Sequence, residues 1–203
     1  MGCWGITAFE SDEGLDAVEF IRESIPEDGK LELETLVETL KRDSWNAPPE
    51  VETAGSHTSV MVLAELMLKF VDGDVKSLDS EEDWNREEHK FCSVTSFTAS
   101  KETVHWIRNY LFDTLHHVKK HAGSQTEDGG KWGGWFEEKN WIGWQEHMTE
   151  LVSRLDTLLE SSEAEIELIT LQRPKYQEME NNREAEHPLE SIWTVRHNTE
   201  CRW

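Results

Sequence analysis

Apolar residues recur with the spacing of amphipathic helices along most of the chain. Between charged, glycine-rich or proline-rich breaks they return every three or four positions, which is the period of one helix face. The pattern predicts helices over residues 11–24, 31–42, 56–71, 100–121 and a last segment from near Glu137 to about Leu159. The period continues weakly through Ile169, which leaves a longer final helix open.

Residues 60–71 differ from the other segments because they leave almost no polar face. Only Glu65 interrupts the apolar run that begins at Val60. A helix that is apolar all round is usually the one that others surround. We therefore predict a mainly α fold, with about five helices packed around residues 60–71.

Two stretches interrupt this helical pattern. Residues 74–97 are charged and irregular, which predicts a polar excursion with one short strand or hairpin at Phe91–Phe97. Residues 122–136 form a loop rich in glycine and tryptophan. Beyond residue 171 the chain is polar and aperiodic. The sequence therefore predicts one helical domain over 1–171 and a flexible tail over 172–203.

Net charge is the strongest global property of the chain. The formal charge is −22, and residues 1–160 carry −18 of it. Such a body repels phosphate backbones and anionic lipid, so we expect neither nucleic acid nor a membrane surface as a partner. Complementary charge would favour a basic protein. The alternative is that the charge only maintains solubility.

Cysteine usage and hydropathy predict a reducing compartment. Cys3, Cys92 and Cys201 are odd in number and far apart, which does not fit a disulfide scaffold. No apolar stretch reaches the length of a membrane span, and the N-terminus lacks the pattern of a secretory signal. We therefore expect a cytoplasmic protein.

The first sixteen residues carry a motif that resembles a known family. Small bacterial proteins grouped as a domain of unknown function open M-G-x-W-G and continue F-(D/E)-N-D-x-A-x-D-W. The chain matches this pattern at Gly2, Trp4, Gly5, Phe9, Asp12 and Asp16, and departs from it at Ser11, Gly14 and Ala17. The similarity covers about the first quarter of the chain. The resemblance implies membership of that family and brings no activity with it.

The physical chemistry of this motif indicates architecture. Glycines on both sides of Trp4 predict a close backbone approach, with the indole filling a slot in the core. Phe9 is placed to staple the chain onto the first helical turn. Ser11 is placed to cap that turn, where Asp12 complements the helix dipole. The functional alternative is that Asp12 and Asp16, one turn apart, bind a cation or a basic partner.

Histidines on the 100–121 helix are the best candidates for metal ligands. Asp113, His117 and His121 recur every four residues and therefore share one face. Two histidines at this spacing can clamp zinc, and His105 or His147 could supply a further ligand. The alternative is a solvated helix end, whose basic side chains complement the dipole.

The glycine-rich loop holds the aromatic residues best placed to reach a partner. Trp132, Trp135 and Phe136 could dock into another protein or fold back over the helices. Trp141 and Trp144 keep helical spacing and are predicted to be core residues.

These features support three functional hypotheses. The leading one is a non-enzymatic, acidic protein-binding domain without a cofactor, of which an antidote to a basic toxin is one case by analogy. The second is a metal-dependent enzyme, with zinc on the 100–121 helix. The third is a structural domain without a ligand. No motif for a catalytic nucleophile or a phosphate-binding loop is present in the sequence.

Overall fold

A computed structural model describes most of the N-terminal five-sixths of the chain. The described residues are 2–52, 57–79, 90–121, 133–160 and 165–168. The chain divides into two units, Met1–Thr170 and Leu171–Trp203. The predicted tail at 172–203 and the loop residue Trp132 lie outside the described residues.

The fold is mainly helical, as predicted. The five predicted helices are α1 (Asp12–Glu23), α2 (Leu33–Arg42), α3 (Thr58–Asp72), α5 (Lys101–His121) and α6 (Trp141–Leu159). A further short helix, α4 (Lys76–Asp79), lies in the predicted polar excursion. Three 3₁₀ turns occupy Ala8–Glu10, Phe91–Ser93 and Glu138–Asn140.

Helix α3 is central, as its apolar sequence predicts. Every residue from Thr58 to Leu68 is buried, including Glu65. Helices α1, α5 and α6 and the first 3₁₀ turn all contact it. None of the described helices combines the length and apolarity that a membrane span requires.

The start of α1 agrees with the predicted cap. Ser11 is the N-cap residue, and its Oγ accepts a hydrogen bond from the Gly14 amide at 3.1 Å. Asp12 and Glu13 lie in the first turn, where carboxylates interact favourably with the helix dipole. Asp12 also accepts a hydrogen bond from the Gly2 amide, which closes the chain start onto α1.

The structure contains a small three-stranded sheet, where the sequence predicted one short strand or hairpin. Strand β2 (Ser96–Ser100) lies between β1 (Lys30–Glu32), which is parallel to it, and β3 (Glu165–Glu167), which is antiparallel. The predicted start of the second helix at Leu31 is wrong by two residues, because Leu31 pairs with Phe97. The longer final helix is also wrong, since Ile166 pairs with Ala99.

Candidate functional site

A carboxylate is buried in the middle of the central helix. Glu65 is 6% exposed. Its Oε1 accepts a hydrogen bond from the Ala8 amide at 2.9 Å and lies 2.7 Å from Nε2 of His147. Its Oε2 has no hydrogen-bond partner among the described residues. A buried carboxylate is costly unless it is fully paired, so this half-satisfied group marks a candidate site.

Helix α6 places His147 against this carboxylate. The His147 side chain is mostly buried, at 17% exposure. A carboxylate accepts hydrogen bonds and does not donate them, so Nε2 of His147 carries the hydrogen in this contact. Residues three, four and seven positions further on share the same helix face. Glu150, Leu151 and Arg154 therefore continue the wall that His147 begins, and all three line the same cleft.

The N-terminal segment lines another part of the cleft through Trp4, Thr7, Phe9 and Glu10. The Glu10 carboxylate accepts hydrogen bonds from the Ile6 and Thr7 amides at 2.9 and 3.1 Å, and from the Thr7 hydroxyl at 3.1 Å. Burial tends to raise the pKa of Glu10. These hydrogen bonds and the nearby His147 outweigh burial, so the pKa lies below its usual value. Glu10 is thus held as a carboxylate facing the cleft.

Together these elements enclose a cleft of about 580 Å³. Its floor includes Glu65 from α3, and Trp4 lies at its edge with 57% of its surface exposed. The volume falls within the range of roughly 300–1,000 Å³ that is typical of ligand sites. The lining residues are Trp4, Thr7, Phe9, Glu10, Glu65, Leu68, Lys69, Asp72, Asp74, His147, Glu150, Leu151 and Arg154.

Negative charge exceeds positive charge in this cleft. Its five carboxylates face two permanently basic side chains, and both of these are engaged by acids. Arg154 is paired with Asp72 through two hydrogen bonds of 2.9 and 2.6 Å, and this pairing raises the pKa of Arg154. Lys69 lies 3.1 Å from Asp74. The cleft therefore presents a local excess of negative charge to an incoming group.

The position of Trp4 corrects one prediction from the motif. The indole does not fill a core slot, since more than half of its surface is exposed.

The other residues of the motif differ in their surroundings. The space next to Gly5 is occupied by the Glu10 side chain, because a Cβ at Gly5 would lie 2.0 Å from Glu10 Oε2. Phe9 is partly buried against the core, with the Lys69 ammonium 5.4 Å from its ring centre. Asp16 is exposed on α1.

Two of the aromatic residues predicted to reach a partner from the glycine-rich loop, Trp135 and Phe136, are among the described residues. Trp135 is fully buried, its Nε1 donates a hydrogen bond to the Gly5 carbonyl at 2.8 Å, and its ring stacks on Trp144. Phe136 is half-buried, with its ring edge-on to Trp135 at 4.9 Å. The burial of Trp135 supports the fold-back alternative for this residue. Trp132 lies outside the described residues, so its role stays a prediction.

The predicted metal ligands line a different surface. Asp113, His117 and His121 border a groove of about 420 Å³, with Glu50 and Glu52 also among its lining residues. The ring centres of His117 and His121 are 4.3 Å apart, and Nδ1 of His121 lies 2.9 Å from the His117 carbonyl oxygen.

This groove does not form a coordination shell in the described structure. Within the described ranges no three His, Cys, Asp or Glu side chains are arranged to hold a metal ion. His147 is engaged by Glu65 in the cleft instead of joining the groove. The zinc hypothesis for Asp113, His117 and His121 stays a prediction.

The chain was compared with protein-family models, curated proteins and solved structures, and none of them matches it. The resemblance of the N-terminal motif therefore stays a prediction, and functional inference depends on the cleft.

Proposed function

We propose that this chain is a non-enzymatic, acidic protein-binding domain that engages a basic protein partner through the cleft. The observation that carries the proposal is the cleft itself, which is lined by a half-satisfied buried carboxylate, by surplus acids and by an exposed tryptophan. An antidote to a basic toxin would be one case of such a protein.

The net charge and Trp4 support different aspects of this proposal. A formal charge of −22 attracts a basic protein over long range and increases its association rate. Tryptophan is among the residues that most often dominate the affinity of an interface. Trp4 is large, exposed and fixed at its backbone by a 3.0 Å hydrogen bond from its amide to the Glu10 carbonyl. It is therefore a suitable anchor.

Replacement of Trp4 tests the proposal. Affinity capture with the full chain should retain a basic protein, whose binding is then measured with both proteins purified. Trp4→Ala should increase the dissociation constant about 30-fold, as expected for the loss of a side chain that contributes about 2 kcal/mol to binding. The association rate should fall as salt is added.

Trp45 provides a matched control, because it is 93% exposed and does not line the cleft. Trp45→Ala should leave the affinity unchanged. Equal effects of Trp4→Ala and Trp45→Ala on a reconstituted complex would contradict a role for the cleft.

A further inference from the structure

Glu65 has a second carboxylate oxygen for which the described residues provide no donor. Oε1 already has the Ala8 amide and His147 within 2.9 Å, whereas Oε2 has no partner among the described residues. Oε2 is also shielded from water. A donor can reach this atom only when the side chains that shield it move aside. It would then satisfy a group that has no partner among the described residues, in surroundings that screen charge weakly.

The local charges favour a cationic donor. The basic residues of the cleft are held elsewhere: Lys69 by Asp74, and Arg154 by Asp72. Among the described residues, the hydrogen-bond partners of Glu65 are the Ala8 amide and His147, so no lysine or arginine is paired with this carboxylate. A cation that enters the cleft would both donate to Glu65 and reduce the repulsion among its carboxylates.

Trp4 distinguishes between the two cationic side chains of proteins. A guanidinium is planar, is less strongly hydrated than an ammonium and carries five donors, so it can stack on an indole while it bonds to a carboxylate. An ammonium is compact and strongly hydrated. An exposed indole that lines the same cleft as a buried carboxylate therefore suits arginine better than lysine.

From these observations we infer that the cleft receives the guanidinium of an arginine side chain, with Glu65 as its carboxylate and Trp4 as its stacking surface. This inference rests on the proposed function and specifies the group that the partner inserts. Once the side chains that shield Oε2 of Glu65 move aside, the guanidinium donates to this atom, and its plane lies on the Trp4 indole. The Glu65–His147 contact remains in place.

Three small probes test the inference without the partner. N-acetyl-arginine amide, N-acetyl-lysine amide and N-acetyl-citrulline amide are titrated into the full chain, and the ¹⁵N-labelled imidazole signals of His147 are followed by NMR. Citrulline has the shape of arginine without its charge. We expect saturable shifts with the arginine probe, with a dissociation constant on the order of 1 mM because a single side chain binds weakly. The lysine probe should bind at least 5-fold more weakly, and the citrulline probe should produce no saturable shift.

Two variants connect the signal to the proposed contacts. Glu65→Gln keeps the shape of the side chain and should weaken the arginine probe at least 10-fold, whereas Glu38→Gln on the exposed face of α2 should have no effect. If Glu65→Gln fails to fold, Trp4→Ala provides the same test from the exposed rim and should weaken binding by a similar factor.

Each unfavourable outcome has a defined meaning. Equal binding of arginine and citrulline, or of arginine and lysine, would overturn the inference, and so would an unchanged affinity in a folded Glu65→Gln chain. A partner whose binding requires Trp4, in a protein that does not respond to the arginine probe, would overturn the inference and leave the proposed function intact. A response to the arginine probe without any protein partner would instead contradict the proposed function.

Discussion

Gly14 allows helix α1 to pack closely against the backbone of Ala8, in the N-terminal segment that lines the cleft. A Cβ at this position would lie 1.8 Å from the Ala8 carbonyl oxygen. The same stretch of chain supplies the Ala8 amide, which donates to Glu65. The lack of a side chain at residue 14 therefore determines how closely the cleft wall approaches α1.

Replacement of this glycine by alanine should destabilise the protein. In most helices Gly→Ala gains about 1 kcal/mol. Here the added Cβ meets a backbone atom, and we expect Gly14→Ala to lower the free energy of unfolding by about 1–3 kcal/mol, as overpacking does. Urea denaturation measures the change. Asp16→Ala, an exposed position on the same helix, serves as the control and should change stability by less than about 0.5 kcal/mol. A more stable Gly14→Ala chain would contradict the close contact.

At the residue scale, the sequence predicted which side chains are unusual better than where they lie. The pair Gly2 and Gly5 suggested a buried Trp4, yet Trp4 is exposed and Trp135, from a glycine-rich loop, is buried. Glycine indicates a close approach of the backbone but does not identify what approaches. Glu65 was visible as the polar break in an apolar run, but its partner His147 lies 82 residues away and follows from tertiary packing.

Glu34 joins three elements at one point. Its Oε1 accepts a hydrogen bond of 2.6 Å from the amide of Ser100, where β2 ends and α5 begins. The Ser100 hydroxyl in turn accepts from the Thr103 amide at 3.2 Å in the first turn of α5. Burial tends to raise the pKa of Glu34. The hydrogen bonds from Ser100 outweigh burial, and the pKa lies below its ordinary value of 4.5.

This joint predicts a pH-dependent contribution to stability. Because the pKa is lower in the folded state, ionised Glu34 stabilises the fold above about pH 4.5, and this contribution is lost as pH falls through the folded-state pKa. At pH 7 we expect Glu34→Gln to lower the free energy of unfolding by about 1 kcal/mol, since a partly exposed charged hydrogen bond is replaced by a neutral one.

Urea denaturation between pH 7 and pH 3 measures the effect. The difference between wild type and Glu34→Gln should shrink below pH 4.5, whereas the control Glu38→Gln, on the exposed face of α2, should differ little from wild type throughout. A difference that stays constant with pH would show that the Glu34 charge is not responsible.

Among the secondary-structure elements, the helices were predictable, whereas only β2 of the three strands was partly anticipated, by the short strand predicted at Phe91–Phe97. The period of three to four residues is long enough in α2, α3 and α5 to identify each helix from its own residues. Strands β1 and β3 have three residues each, and both are defined by their pairing with β2. Residues so few carry no period, so only the folded chain determines that they are strands.

For the whole molecule, the sequence gives the net charge but does not predict the distribution of charge in the cleft. The sequence contains 42 acidic and 20 basic residues, which predicts attraction to a basic partner. It does not predict where the attraction is strongest, because that depends on which acids are paired. Folding pairs Asp72 with Arg154 and Asp74 with Lys69, and leaves Glu65 partly unsatisfied.

The third strand links the end of the helical domain to its core, and its contribution can be measured by truncation. Ile166 and Leu168 are buried, and the Leu168 amide donates to the Phe97 carbonyl at 2.8 Å. The free energy of unfolding of a chain ending at residue 160 should therefore be about 3–6 kcal/mol lower than that of a chain ending at residue 170. This estimate takes about 1.5–3 kcal/mol for each of the two buried aliphatic side chains. Chemical denaturation of the two chains measures this difference. Leu168→Ala in the longer chain separates packing from chain length and should cost about 2–4 kcal/mol. Equal stabilities for all three chains would mean that β3 adds nothing to the fold.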